Sequence, residues 1–237
     1  SHYLYLLHDS KMRTLVLSII FFVIGILFLL MENYPSFPAA FILKTLMIPV
    51  LAVIFIVNLK PGDNFLHKLM IAGLFFSWAG DVLLEMPSER ADLFIPGLVS
   101  FLLAHVMYLT TFLMTRGENY INRKGIWLLL PVLLFGAGII YYLHNDLGNM
   151  MIPVIIYTVV ILTMLTGAIN RLKKVNALSY WLVLTGAILF LISDSALAIN
   201  KFGHPFTGSS VVIISTYLLA QYLIITGYIR QFRSGLK

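Results

Sequence analysis

Cysteine is absent from this chain of 237 residues, and charge is scarce. Without cysteine there is no disulfide, no thiol nucleophile and no thiolate-bound zinc. Only 11% of the residues are charged, where a soluble domain carries about 25%. Low-complexity tracts are missing as well. So is a basic stripe with interleaved aromatics, and the net charge of +6 therefore does not read as a nucleic-acid footprint. The basic residues sit instead in short segments between long apolar runs.

What is present is hydrocarbon. Sixty per cent of the chain is hydrophobic, and about 20 consecutive apolar residues suffice to cross a bilayer core of ~30 Å. The pattern predicts an all-α integral membrane protein with about eight transmembrane helices, over 14–31, 38–58, 66–84, 93–115, 125–143, 150–170, 177–199 and 208–229. Residues 1–237 read as one transmembrane domain. Pro35, Pro61, Pro87 and Gly148 fall in the connections, where helix breakers belong. Residues 14–31 are long enough to span and no small-residue cleavage site follows, so no cleavable signal peptide is expected.

Lysine and arginine set the expected orientation. Lys11 and Arg13, Lys60 and Lys68, Arg116, Arg123 and Lys124, Arg171, Lys173 and Lys174, and Arg230, Arg233 and Lys237 all fall on one side. The other side holds only Arg90 and Lys201. Under the positive-inside rule both termini are cytoplasmic. The compact chain with short loops suggests a bacterial inner membrane. A weak internal repeat relates 14–115 to 125–229: Gly73 to Asp81 matches Gly186 to Asp194, and Leu102-Leu103-Ala104-His105 matches Leu218-Leu219-Ala220-Gln221. It suggests two parallel four-helix halves with sites where they meet, or chance likeness between apolar segments.

Ionisable groups within membrane spans are costly, at ~2.5–3.5 kcal/mol each near the centre, and so mark function by default. The candidates are Lys44 on the second span, Asp81 on the third, His105 on the fourth and Asp194 on the seventh, with Glu85 and Asn200 just past the third and seventh. Lys44, Asp81 and Asp194 are expected in one layer of the outer half, where Lys44 would neutralise one carboxylate and leave the other able to hold a proton. Asp81 and Glu85 are four apart on one helix face, and His105 and Tyr108 three apart on another. The plainer readings are that Lys44 snorkels to the interface, that His105 is a packed, hydrogen-bonded residue, and that Tyr108 and Tyr157 are ordinary interior or belt aromatics.

Two segments carry a resemblance. One runs Gly73-Leu-Phe-Phe-Ser-Trp-Ala-Gly-Asp81-Val-Leu-Leu-Glu85, followed by Phe101-Leu-Leu-Ala-His105-Val-Met-Tyr108. The other runs Gly186-Ala-Ile-Leu-Phe-Leu-Ile-Ser-Asp194-Ser-Ala-Leu-Ala-Ile-Asn200. Together they resemble the YhhN-type membrane family, which includes bacterial and animal lysoplasmalogenases, from about Lys44 to the last span. The resemblance implies hydrolysis of a lysoplasmalogen at its vinyl ether, giving a fatty aldehyde and glycerophospho-ethanolamine or -choline, with Asp81 and Asp194 as the catalytic carboxylates. Vinyl ethers cleave by protonation at carbon, capture of the oxocarbenium ion by water and collapse of the hemiacetal. One carboxylic acid and one carboxylate suffice, as at the comparable cation of glycosidases. No metal or cofactor is called for. We adopt Asp194 as acid and Asp81 as base, and the residues alone leave the converse open. Lys44 would meet the substrate phosphate. Ser193, Ser195, Asn200 and Tyr108 would position the glycerol hydroxyl or the water.

Two other classes fit less well. Intramembrane aspartyl proteases place an aspartate in Gly-x-Gly-Asp, and here the segment reads Trp78-Ala79-Gly80-Asp81. Zinc-dependent ceramidase-like enzymes need several membrane histidines, and only His105 lies well inside a predicted span, His67 standing at the edge of the third and His144 and His204 at span edges or in loops. A transporter or lipid-binding protein for a small amphiphile is the main alternative. It needs access from both sides, whereas the polar residues cluster towards one.

Overall fold

A computed structural model describes residues 2–31, 37–59, 64–86, 88–115, 117, 121 and 126–233. Eight α-helices occur among them: α1 (His2–Met31), α2 (Phe37–Val57), α3 (Phe65–Leu84), α4 (Phe94–Leu113), α5 (Leu129–Leu143), α6 (Met151–Ile169), α7 (Ala177–Phe202) and α8 (Ser209–Arg233). No strand occurs among the described residues. Seven helices are long and apolar enough to cross a membrane, and α5 is a shorter apolar helix led in by a 3-10 turn over Ile126–Leu128. The chain is an integral membrane protein. Pro35, Lys60, Pro61, Pro87, Arg116, Arg123, Lys124 and Lys237 lie outside the described residues.

Local chemistry explains most helix ends. Asn64 starts α3, its side-chain oxygen accepting from the Leu66 N–H, and Asn176 starts α7 by accepting from the Ser179 N–H at 2.8 Å. Pro96, Pro131 and Pro153 each sit third in α4, α5 and α6. In a first turn the N–H that proline lacks has no helical partner to lose. The seventh helix outruns the sequence reading. It continues through Asn200 and Lys201 to Phe202 and stops where Gly203 donates to the Ile199 carbonyl, because no breaker occurs before that glycine.

Contacts group the chain into two units, residues 1–104 and 105–237, with the boundary inside α4. In the first, α2 packs against α1 and α3. The Asn58 amide donates to the Thr14 hydroxyl at 2.8 Å, and the Trp78 indole donates to the Thr45 carbonyl at 3.0 Å. A Cβ on Gly80 would sit 2.6 Å from the Phe101 ring, so α3 and α4 close on each other there.

In the second unit α7 and α8 are the most closely packed helices, and α6 packs on α7. A Cβ on Gly186 would meet the Ala220 carbonyl at 2.9 Å and the Ile224 nitrogen at 3.0 Å, so the two backbones touch. Further along, a Cβ on Gly227 would meet Val183 and Leu182. The segment before α7 adds a polar clasp. Arg171, fully buried, donates from Nη2 to Ser179 Oγ at 3.1 Å and to Gln231 Oε1 at 3.0 Å, and its guanidinium lies over the Phe112 ring. Ser179 Oγ donates to the Gly227 carbonyl at 2.7 Å. Burial draws the Arg171 pKa down to about 10. This residue, counted in the sequence among the loop charges, is a packed tie between α7 and α8.

Gly186→Val places branched carbons against backbone that cannot yield. It is expected to destabilise the protein by about 1–3 kcal/mol or more, read as a lower melting temperature in detergent. Gly138→Ala is the control. It lies inside α5 with nothing within 4 Å of the added methyl, and is expected to stabilise by about 0.5–1 kcal/mol.

Candidate active site

Asp194 lies on α7 eight residues before Phe202, about 12 Å at 1.5 Å per residue. It is deeper than the sequence boundary at residue 199 implies. Phe190, one turn earlier, shares its face. The His105 ring from α4 meets Phe190 edge to face with centroids 4.5 Å apart, and Phe190 meets Tyr217 of α8 in the same way at 5.5 Å. That aromatic stack holds His105 Nε2 at 3.6 Å from Asp194 Oδ2. The distance exceeds a hydrogen bond but lies within ion-pair range when the imidazole carries a proton. From α6, Tyr157 donates its hydroxyl to the same Oδ2 at 2.6 Å, and its ring stands edge to face with His105 at 5.4 Å. The His105 side chain is 1% exposed and that of Asp194 13%. A carboxyl group, a phenol and an imidazole thus meet in an apolar surround, where electrostatic and hydrogen-bonding effects are stronger than in water.

In residues 1–104, Asp81 is buried on α3, and its backbone carbonyl accepts the Glu85 N–H. The carboxylate that Lys44 meets is Glu85: Nζ lies 2.6 Å from Oε2, with the side chains 14% and 22% exposed. Glu85 caps α3 and reaches α2, where Lys44 also faces the Phe28 ring. The cation is matched by a carboxylate at the helix end rather than by a buried aspartate.

The hydroxyl candidates are committed to helices. Tyr108, fully buried, donates to Gln221 Oε1 of α8 at 2.8 Å. Ser193 donates to the Ile213 carbonyl at 2.9 Å, and Ser195 back to the Leu191 carbonyl at 2.7 Å. Asn200 is half-buried on the last turns of α7. The residue that the sequence places only among ordinary interior or belt aromatics is Tyr157. It is 37 positions from its partner, on a helix with no charged residue. Its one signal was a hydroxyl-bearing aromatic inside a span rather than at its ends.

Two substitutions separate packing from substrate contact. Tyr108→Phe is expected to cost about 1 kcal/mol of stability with KM unchanged in the assay described below; a raised KM at unchanged melting temperature would put Tyr108 against substrate. For the ion pair, Lys44→Met alone leaves a half-buried carboxylate unmatched. It is expected to destabilise by about 2 kcal/mol, and adding Glu85→Gln should recover part of that loss in the same melting experiment.

Likeness to known proteins extends over most of the chain. Over 213 residues the chain is 32% identical to lysoplasmalogenase TMEM86B of Sus scrofa, covering 88% of this chain and 84% of that protein. It is 34% identical over 159 residues to lysoplasmalogenase TMEM86A of Bos taurus, covering 65% and 62%. A lysoplasmalogenase of Mycobacterium bovis is 29% identical over 165 residues, covering 68% and 60%. The last two matches thus span less than two thirds of those relatives' own length. No solved structure matches. The model of the YhhN family matches residues 39–228, from the start of α2 to near the end of α8, and this chain belongs to the YhhN family.

Proposed function

We propose that the protein hydrolyses the vinyl ether bond of lysoplasmalogens, releasing a fatty aldehyde and a glycerophospho-ethanolamine or -choline. The observation that carries this reading is the likeness over 88% of the chain to a relative of that activity. It is supported by a carboxyl group set among a phenol and an imidazole deep in an apolar helix. Asp194 is the acid. Its proton passes to the vinyl carbon remote from oxygen, leaving a carboxylate and an oxocarbenium ion. Asp81, the second carboxylate, stabilises the cation and takes a proton from the water that adds. The hemiacetal then collapses to aldehyde and alcohol, its hydroxyl proton passing to the leaving oxygen, and the proton taken up by Asp81 returns to Asp194 through solvent, so that one water is consumed and both carboxyl groups are restored. Acid and base groups in such roles contribute about 10²–10⁴-fold each.

The remaining roles concern the amphiphile. His105, with Nε2 3.6 Å from Asp194 Oδ2, stands beside the carboxylate once the proton has gone. Lys44 and Glu85 offer opposite charges to a zwitterionic headgroup, phosphate to Lys44 and ammonium to Glu85, and the Asn200 amide suits the glycerol hydroxyl. The single acyl-like chain lies among the apolar helices, entering from the bilayer. The distribution of lysine and arginine supports cytoplasmic termini, and the compact chain with short loops supports a bacterial cell membrane. The chain is built of two sequence-related halves, 14–115 and 125–229.

The test uses purified protein in detergent with a synthetic lysoplasmalogen, aldehyde release being followed through alcohol dehydrogenase. Wild-type protein is expected to release aldehyde. Asp81→Asn and Asp194→Asn, each folded by size-exclusion profile and melting temperature, are expected to lose about 10²–10⁴-fold in kcat. Activity surviving in both variants would move the chemistry elsewhere. No aldehyde from folded wild-type protein with either headgroup would favour a transporter or lipid-binding role.

A further inference from the structure

Asp194 has two oxygens, and the surrounding protein treats them differently. Tyr157 donates to Oδ2 at 2.6 Å, and His105 Nε2 approaches that same oxygen at 3.6 Å. Among the described residues, no side chain or backbone group donates to Oδ1, and the Asp194 side chain keeps 13% of its surface open. The phenol is held in turn, its ring standing edge to face with that of His105, which packs on Phe190.

We propose that Tyr157 is a positioning residue that makes Oδ1 the one oxygen of Asp194 able to give up a proton to the substrate. The argument rests on hydrogen-bond valence. With the phenol donating its only proton to Oδ2, that oxygen is the acceptor. When Asp194 is protonated, Oδ2 is then the carbonyl oxygen, and the acidic hydrogen sits on Oδ1, the oxygen to which no described residue donates. When Asp194 has given its proton up, the phenol still binds Oδ2, so the negative Oδ1 faces the new cation. The O–H bond at Oδ1 breaks, the C–H bond at the vinyl carbon forms, and Tyr157 neither gains nor loses a proton. Without the phenol the carboxyl turns about its Cβ–Cγ bond, and the proton is shared between a productive and an unproductive oxygen. The effect resembles that of the residues that orient a general base elsewhere.

This inference rests on the reading of Asp194 as the acid, and the experiment separates the two. Tyr157→Phe, Asp194→Asn and wild type are compared for kcat, KM, melting temperature and the infrared carboxyl bands that Asp194→Asn removes. In Tyr157→Phe we expect kcat to fall about 10–100-fold, KM to stay within about twofold, and the Asp194 C=O band to move to higher wavenumber as its hydrogen bond is lost. An inactive Asp194→Asn beside a Tyr157→Phe with wild-type kcat or an unmoved band would overturn the positioning role while leaving the acid in place. An active Asp194→Asn would remove the acid assignment and this inference with it. Should Tyr157→Phe fail to fold, 3-fluorotyrosine at position 157 keeps the shape and strengthens the donor. A displaced Asp194 band in that protein supports the role, and an unchanged band overturns it.

Discussion

Hydrocarbon offers no hydrogen bonds, and that constraint governs nearly every polar side chain in this protein. Threonine and serine hydroxyls on the helices mostly turn back to the carbonyl four residues earlier: Thr110 to Val106, Thr158 to Val154, Thr166 to Leu162 and Thr226 to Tyr222 among them. Groups without that local solution are satisfied across helices, and these are the groups that fix the architecture. Asn58 meets Thr14, Trp78 meets the Thr45 carbonyl, Tyr108 meets Gln221, and Ser179 joins Arg171 to the Gly227 carbonyl. Each such bond stands where an apolar surface has no reason to prefer one register over another. The close approach at Gly186 and Gly227 then lets α7 and α8 pack backbone to backbone, with dispersion doing what the hydrophobic effect cannot do inside lipid.

Seen this way, the environment of Asp194 is the same rule applied to an ionisable group. Its carboxyl could not have been left to a neighbouring carbonyl, because a carboxylate only accepts. The solution is a donor from another helix, Tyr157, and a ring on α4 that becomes a cation on protonation. Tyr108 and Ser179 put their hydroxyls into buried bonds, whereas no described residue donates to the second oxygen of Asp194. Incompleteness by itself does not mark a site, since Arg171 Nε and Nη1 are buried without a partner among the described residues; what sets Asp194 apart is that its open atom can carry a proton.

The helices were legible because apolar runs of membrane length have few other interpretations. One helix end shows where the signal stops. The sequence reading ends the seventh span at residue 199, yet the helix runs on to Phe202 and ends on backbone chemistry, the Gly203 N–H bonding the Ile199 carbonyl. The candidate residues were found by their cost: a charge in a span draws attention. Tyr157 carries no charge, reads as an ordinary interior or belt aromatic, and has its partner one helix away. Arg171 was misread for the converse reason. A basic residue between two spans looks like a solvated topology marker, and only three-dimensional packing reveals a guanidinium enclosed by Ser179, Gln231 and Phe112. The choice of Glu85 over an aspartate as the partner of Lys44 was equally out of reach, since it turns on where α3 ends.

The short fifth helix has a consequence for the bilayer itself. Trp127 at its approach is 79% exposed and Tyr141 near its far end 78% exposed, with an apolar stretch of about 14 residues, some 21 Å, separating them. That is shorter than a bilayer core of ~30 Å, and a hydrophobic stretch too short for its membrane is accommodated by local thinning. Lipid beside α5 would then stand thinner than elsewhere, and α6, which packs on α5 and carries Tyr157, would meet headgroups closer to its middle.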